Sequence, residues 1–145
     1  MESRPNGQSD LRERTKVFAL RVIKMFSALP KTEVARVLGK QVLRSGTSVG
    51  ANYREANRAR SKAEFIAKIG DCLKELDEPS GARQTMRQHC PKGERGGAHQ
   101  TAYWLELLVN SETVPAPRLE PLQDECQQLL AIFTTISKKS KSNPS

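Results

Sequence analysis

The sequence predicts an all-α protein, an antiparallel up-down four-helix bundle whose third helix is interrupted by a long loop. Three observations carry this reading. Apolar residues recur at spacings of three and four in each long segment, the period of one helix face. No segment alternates apolar and polar residues, and no hairpin turn signal separates the segments. Residues 79–100 concentrate Pro79, Gly81, Pro91, Gly93, Gly96 and Gly97, which forbids a continuous helix there.

Residues 1–9 hold almost nothing apolar and read as a disordered leader, ahead of a bundle over 10–137. The first helix opens at Ser9 or Asp10, either of which can cap it, and carries Phe18, Val22, Met25 and Leu29, with Ala19, Ile23 and Phe26 beside them. Pro30 ends it, because the residue before a proline is pushed out of the helical region. Thr32 caps the second helix, whose apolar stripe runs through Val34, Val37, Leu38, Val42, Leu43, Val49 and Ala56 to about Ala59. Gly39, Gly46 and Gly50 each cost this helix roughly 1 kcal/mol relative to alanine, which argues for close backbone packing or for a kink around Gly46.

Ser61 followed by Glu64 has the capping-box spacing and opens a third helix through Ile66, Ile69, Leu73 and Leu76. After the block at 79–100, helix resumes at about Thr101 with TAYWLELLVN. Removing those 22 positions places Leu105 seven after Leu76, so KELDE and TAYWLELL read as two halves of one helix. The last helix starts behind Pro115 and Pro117, and Leu119, Leu122, Cys126, Leu129, Phe133 and Ile136 form a heptad seam. Residues 138–145, SKKSKSNPS from Ser137 onward, read as a frayed basic tail.

A length of 145 residues suits one domain, and 37% hydrophobic with 28% charged residues allows one modest core. No uninterrupted apolar run of about 18 residues could cross a bilayer, and the polar start MESRPNGQSDLRER has no secretory pattern, so a cytoplasmic protein is expected. Cys72, Cys90 and Cys126 show no C-x-x-C spacing and fit reduced thiols. His89, Cys90 and His99 are the one metal-like cluster, and their spacing matches no zinc site. With no phosphate-cradling glycine loop and no nucleophile elbow, the chain reads as non-enzymatic, with neither cofactor nor metal expected.

A net charge of +8 is compatible with an acidic partner, since Lys and Arg that neutralise phosphates release counterions, and would equally serve solubility. The charge is uneven. Residues 32–60 hold six Lys/Arg against Glu33 and Glu55, whereas 115–137 hold Arg118 against Glu120, Asp124 and Glu125. Lys40, Arg44, Arg54, Arg58, Arg60, Lys62 and Lys68 are therefore the candidate contacts to nucleic-acid phosphates, beside the plainer reading of a solvated charged face. Seven aromatics, mostly at core phases, leave little for base stacking. Arg44, Ser48, Asn52 and Glu55 share one helical face and form a polar seam, either for a ligand or partner or as a hydrogen-bonded network within the bundle or between subunits.

The run LP-x-x-E-V-A-R-V-L-G-K-Q-V-L-R-S-G-T-S-V-G-A-N-Y-R-E-A, then S-K-A-E-F-I-x-K-I-x-D-C-L-K-E-L-D-E and Y-W-L-E-L-L, resembles the bacterial four-helix-bundle proteins encoded in intervening sequences of 23S ribosomal RNA genes. The stretch Gln41 to Ala56 is its most specific part. The resemblance implies an antiparallel bundle that assembles into a ring-like oligomer, most often a pentamer, with no known catalytic activity. A related branch, the accessory variability determinants of diversity-generating retroelements, associates with a reverse transcriptase and nucleic acid. By that similarity Arg44, Arg54 and Arg58 are candidates for RNA or DNA contact. Family members resemble KELDE joined directly to TAYWLELL, so residues 79–100, with a net charge of +3, look like an insertion, either one that strengthens nucleic-acid binding or, the favoured reading, one that the fold merely tolerates.

Overall fold

The computed structural model describes residues 7–77 and 100–142, with side chains from Asp10 onward. Among these residues the protein is all-α, with five helices and no strand: α1 Gly7–Ser27, α2 Glu33–Asn57, α3 Lys62–Leu76, α4 Thr101–Asn110 and α5 Ala116–Ser142. The cluster His89, Cys90 and His99 and the whole of 79–99 lie outside the described residues.

Two caps expected from the sequence form. Thr32 Oγ1 accepts from Ala35 N at 3.1 Å at the start of α2. Ser61 Oγ accepts from Glu64 N at 3.0 Å at the start of α3, and Glu64 Oε1 reaches back to Arg60 N at 3.2 Å. Each satisfies a donor that the first helical turn leaves open. α1 starts at Gly7, before the expected cap at Ser9 or Asp10, and its last turn closes through Ala28 N to Lys24 O and Leu29 N to Phe26 O. α5 continues through Lys138, Lys139 and Lys141 to Ser142, where the sequence predicts a frayed tail. Three cations there complement the negative end of the helix dipole.

The glycines of α2 mark close packing within an unbroken helix. A Cβ added to Gly39 would lie 2.5 Å from Leu29 Cδ1, one on Gly46 3.0 Å from Val22 Cγ2, and one on Gly50 3.2 Å from Thr15 Oγ1. The α1 partners descend as the α2 positions ascend, so the two helices run in opposite senses along a seam that excludes side chains from α2.

Between α2 and α3, Cys72 Sγ faces Val49 O at 3.6 Å; between α3 and α5, Cys126 Sγ faces Leu76 O at 3.9 Å. Burial pushes both thiols up to about 12. Phe18, Val22, Val42, Val49, Ile69, Leu76, Leu105, Leu108, Leu129 and Phe133 are fully buried, and the Tyr53 ring meets Phe133 edge-on at 5.7 Å.

Three expected core positions point outward instead. Val34 and Val37 are each 52% exposed and Ile23 is 43% exposed. Ala35, Gly39, Val42, Gly46 and Val49 take the inner face of α2, which leaves Val34 and Val37 on the far side. The last buried position of α5 is Ser137 rather than Ile136.

The break between α3 and α4 does not disturb the core. Ile69, Cys72 and Leu76 are buried on α3, and Thr101, Leu105 and Leu108 on α4. With the 22 positions 79–100 removed, these six become 69, 72, 76, 79, 83 and 86, an unbroken alternation of three and four. Two separate helices present one continuous heptad face.

Candidate nucleic-acid interface

α2 alternates one buried stripe with one charged stripe. At 100° per residue, Lys40, Arg44, Arg54 and Arg58 fall within an arc of about 80°, opposite the buried Val42 and Val49, and span about 27 Å of helix. All four are exposed. Arg36 lies on the same arc and is exposed as well. Arg60 and Lys62 are exposed at the corner between α2 and α3, so the line of cations turns that corner without entering the core.

Lys68 departs from this arrangement. Its Nζ lies 2.9 Å from Glu55 Oε1 and 3.9 Å from Asp71 Oδ2, tying α3 to α2. The ammonium holds the Glu55 carboxyl below the usual carboxylate range, and Glu55 in turn raises Lys68. Part of its charge is thus committed within the chain. Of the sequence-predicted cations, Lys40, Arg44, Arg54, Arg58, Arg60 and Lys62 share the exposed surface, and Lys68 bridges helices.

The polar seam lies at the edge of the charged stripe. Arg44 and Glu55 are exposed, while Ser48 and Asn52 are half-buried. Ser48 Oγ donates to Arg44 O at 2.7 Å, a bond within its own helix, and Glu55 is taken by Lys68. The buried polar network sits one residue over, at Ser45. Ser45 Oγ lies 2.8 Å from Gln41 O and 2.7 Å from Thr101 Oγ1, and Thr101 Oγ1 lies 2.7 Å from Glu75 O. Two hydroxyl protons serve three contacts, so one is shared. Ser45 gave no signal as a partner residue because its mate is 56 positions away across the break.

A second cross-helix contact was also invisible locally. Arg14 grips Glu125 with Nε at 3.1 Å and Nη2 at 2.9 Å, and Nη2 also donates to Gln128 Oε1 at 3.0 Å. The hydrogen bond to Glu125 raises Arg14 above its ordinary value. This clamp ties α1 to α5 and neutralises one of the few acids of α5.

A family model described as 23S rRNA-intervening sequence protein matches residues 8–87. The chain belongs to this family. The match covers α1, α2 and α3, including every cation of the exposed line. A crystal structure from Bacteroides thetaiotaomicron, described as a protein with unknown function from the S23 ribosomal protein family, is 30% identical and has a TM-score of 0.70. That similarity covers 90% of this chain and 97% of the other. No curated protein matches the chain. The family link thus rests on sequence over α1–α3 and on shape over nearly the whole chain. No described helix is long and apolar enough to cross a membrane.

Proposed function

We propose that this family member is a non-enzymatic, cytoplasmic, antiparallel up-down four-helix bundle, with α3 and α4 together forming one arm, that self-associates and binds structured RNA or DNA through phosphates. The observation that carries the proposal is the line Lys40, Arg44, Arg54, Arg58, exposed on one arc of α2 and continued by Arg60 and Lys62. A straight row of cations on a rigid helix suits a regular phosphate backbone, and the scarcity of exposed aromatics argues against single-strand stacking. The family's association with 23S rRNA intervening sequences supports an RNA-related role. By resemblance the oligomer is a pentamer, and a reverse transcriptase is a candidate protein partner.

The experiment is a titration of the full chain with a labelled RNA duplex at several salt concentrations, with native mass measured by light scattering. Phosphate binding predicts a linear fall of log affinity with log salt. A second reading, an assembly scaffold with no nucleic-acid role, is favoured by the exposed aliphatic residues Val17, Leu20 and Ile23 on α1, which are 41%, 54% and 43% exposed. That reading predicts an oligomer whose stability barely responds to salt and a chain that ignores the duplex.

A further inference from the structure

A groove lies away from α2, between the end of α1 and the start of α5, with a volume of about 700 Å³. α1 divides its faces to make it. Thr15, Val22 and Phe26 meet the glycines of α2, whereas Arg21, Met25 and Ala28 turn toward α5. The floor is apolar: Leu119, Leu122 and Val114 are buried, with half-buried Met25 and Leu29 beside them. The rim is cationic, supplied by Arg21, Lys24 and Arg118, and among the described residues no carboxylate lines the groove. The nearest acid along this face of α5, Glu125, is already held by Arg14.

We propose that this groove binds a soluble amphipathic anion, a molecule with one apolar chain or ring body and a carboxylate or phosphate head. The argument is charge complementarity joined to shape. Arg21, Lys24 and Arg118 give the rim a single sign of charge that favours an anionic head, and a fully hydrated anion would gain nothing from Leu119 and Leu122. A cation with an apolar body is rejected by the rim. The volume falls in the range of about 300–1,000 Å³ usual for small-molecule sites. The half-buried Arg21 is placed to pair the head group, while Lys24 and Arg118, both exposed, narrow the entrance.

Calorimetric titration of the full chain with dodecanoate, kept below micelle formation, is expected to show one site per chain. Dodecanol and dodecyltrimethylammonium are expected to bind at least tenfold more weakly. Lys24→Gln combined with Arg118→Gln lowers dodecanoate affinity at least tenfold; both side chains are exposed, so the melting temperature stays close to that of the parent chain. Ala28→Trp, which fills the groove from its rim and leaves every charge in place, is expected to weaken dodecanoate as well. Dodecanol binding as tightly as dodecanoate overturns the proposal, as does an affinity unchanged in both variants or no binding tighter than about 1 mM. Absence of a dodecanoate site, with binding to phosphatidylglycerol vesicles lost in Lys24→Gln/Arg118→Gln, overturns it in favour of a membrane contact.

Discussion

Thr101 Oγ1 lies 2.7 Å from the carbonyl oxygen of Glu75, 26 residues earlier in the chain. Removing the 22 positions 79–100 makes Thr101 the fourth residue after Glu75. Its hydroxyl then makes the bond that Thr15 makes to Leu11 O, Thr47 to Leu43 O and Thr134 to Leu130 O, each four residues back. The side chain therefore occupies the place it would hold in a continuous helix, although the backbone leaves and returns in between.

Deleting residues 79–100 is expected to join α3 and α4 into one helix and to stabilise the fold. Closing a loop of this length costs about 2–3 kcal/mol of chain entropy, which the deletion removes. Urea denaturation followed by circular dichroism checks it, and a less stable deletion variant would show that the two halves are not in register.

Thr101→Val removes a buried hydroxyl that Ser45 and the Glu75 carbonyl both contact. Ser45 keeps its bond to the Gln41 carbonyl while the Glu75 carbonyl loses its partner, so a loss of about 1–2 kcal/mol is expected from the same denaturation curves. In the deletion variant the Glu75 carbonyl becomes part of a helical ladder, and the same substitution should cost less.

Two glycines should respond oppositely. Gly46→Val sets branched carbons against Val22, itself fully buried and stiff at χ1, and is expected to destabilise by about 1–3 kcal/mol. Gly70→Ala meets nothing within 4 Å in the middle of α3 and is expected to stabilise by about 0.5–1 kcal/mol through helix propensity. Melting temperatures of the two variants decide both at once.

The buried thiols set a window of alkaline sensitivity. Cys72 and Cys126 rise from 9.0 to about 12 on folding, so between pH 9 and 12 the unfolded chain releases protons that the folded chain keeps. Stability must fall with rising pH across that window. At pH 8 neither thiol should react with a disulfide reagent until the chain is unfolded, and rapid labelling of either in the folded protein would contradict their burial.

Charge reversal separates the cations of the interface. Arg54→Glu with Arg58→Glu is expected to weaken RNA-duplex binding by at least tenfold and to flatten its salt dependence, because both residues are exposed. Lys68→Gln, which removes one charge where the double reversal removes four, is expected to cost well under a quarter as much on the logarithmic scale, since its ammonium is already held by Glu55. A loss of one quarter for Lys68→Gln, the ratio of the charges removed, would mean that binding reads only total charge.

Local physics made much of this protein legible. The caps at Thr32 and Ser61 depend on residues three apart, and the buried seam Leu119, Leu122, Cys126, Leu129, Phe133 repeats within one segment. The glycines of α2 announced close packing, and Leu76 with Leu105 announced the shared phase of α3 and α4. The all-α class, the family resemblance and the position of the basic residues follow from such short-range information.

Tertiary structure alone decided which charges are free and which faces meet. Lys68 looked like every other cation until α3 brought it to Glu55, and Arg14 gave no sign of its clamp on Glu125, 111 residues away. Val34 and Val37 fit a helical stripe by period, yet the close approach of α1 to Gly39 and Gly46 rotates α2 so that they face outward. Periodicity reports that a helix has faces; the direction each one points is set by the partner that packs tightest against it. The groove between α1 and α5 exists for the same reason, since its walls come from opposite ends of the chain and only packing brings their cations together.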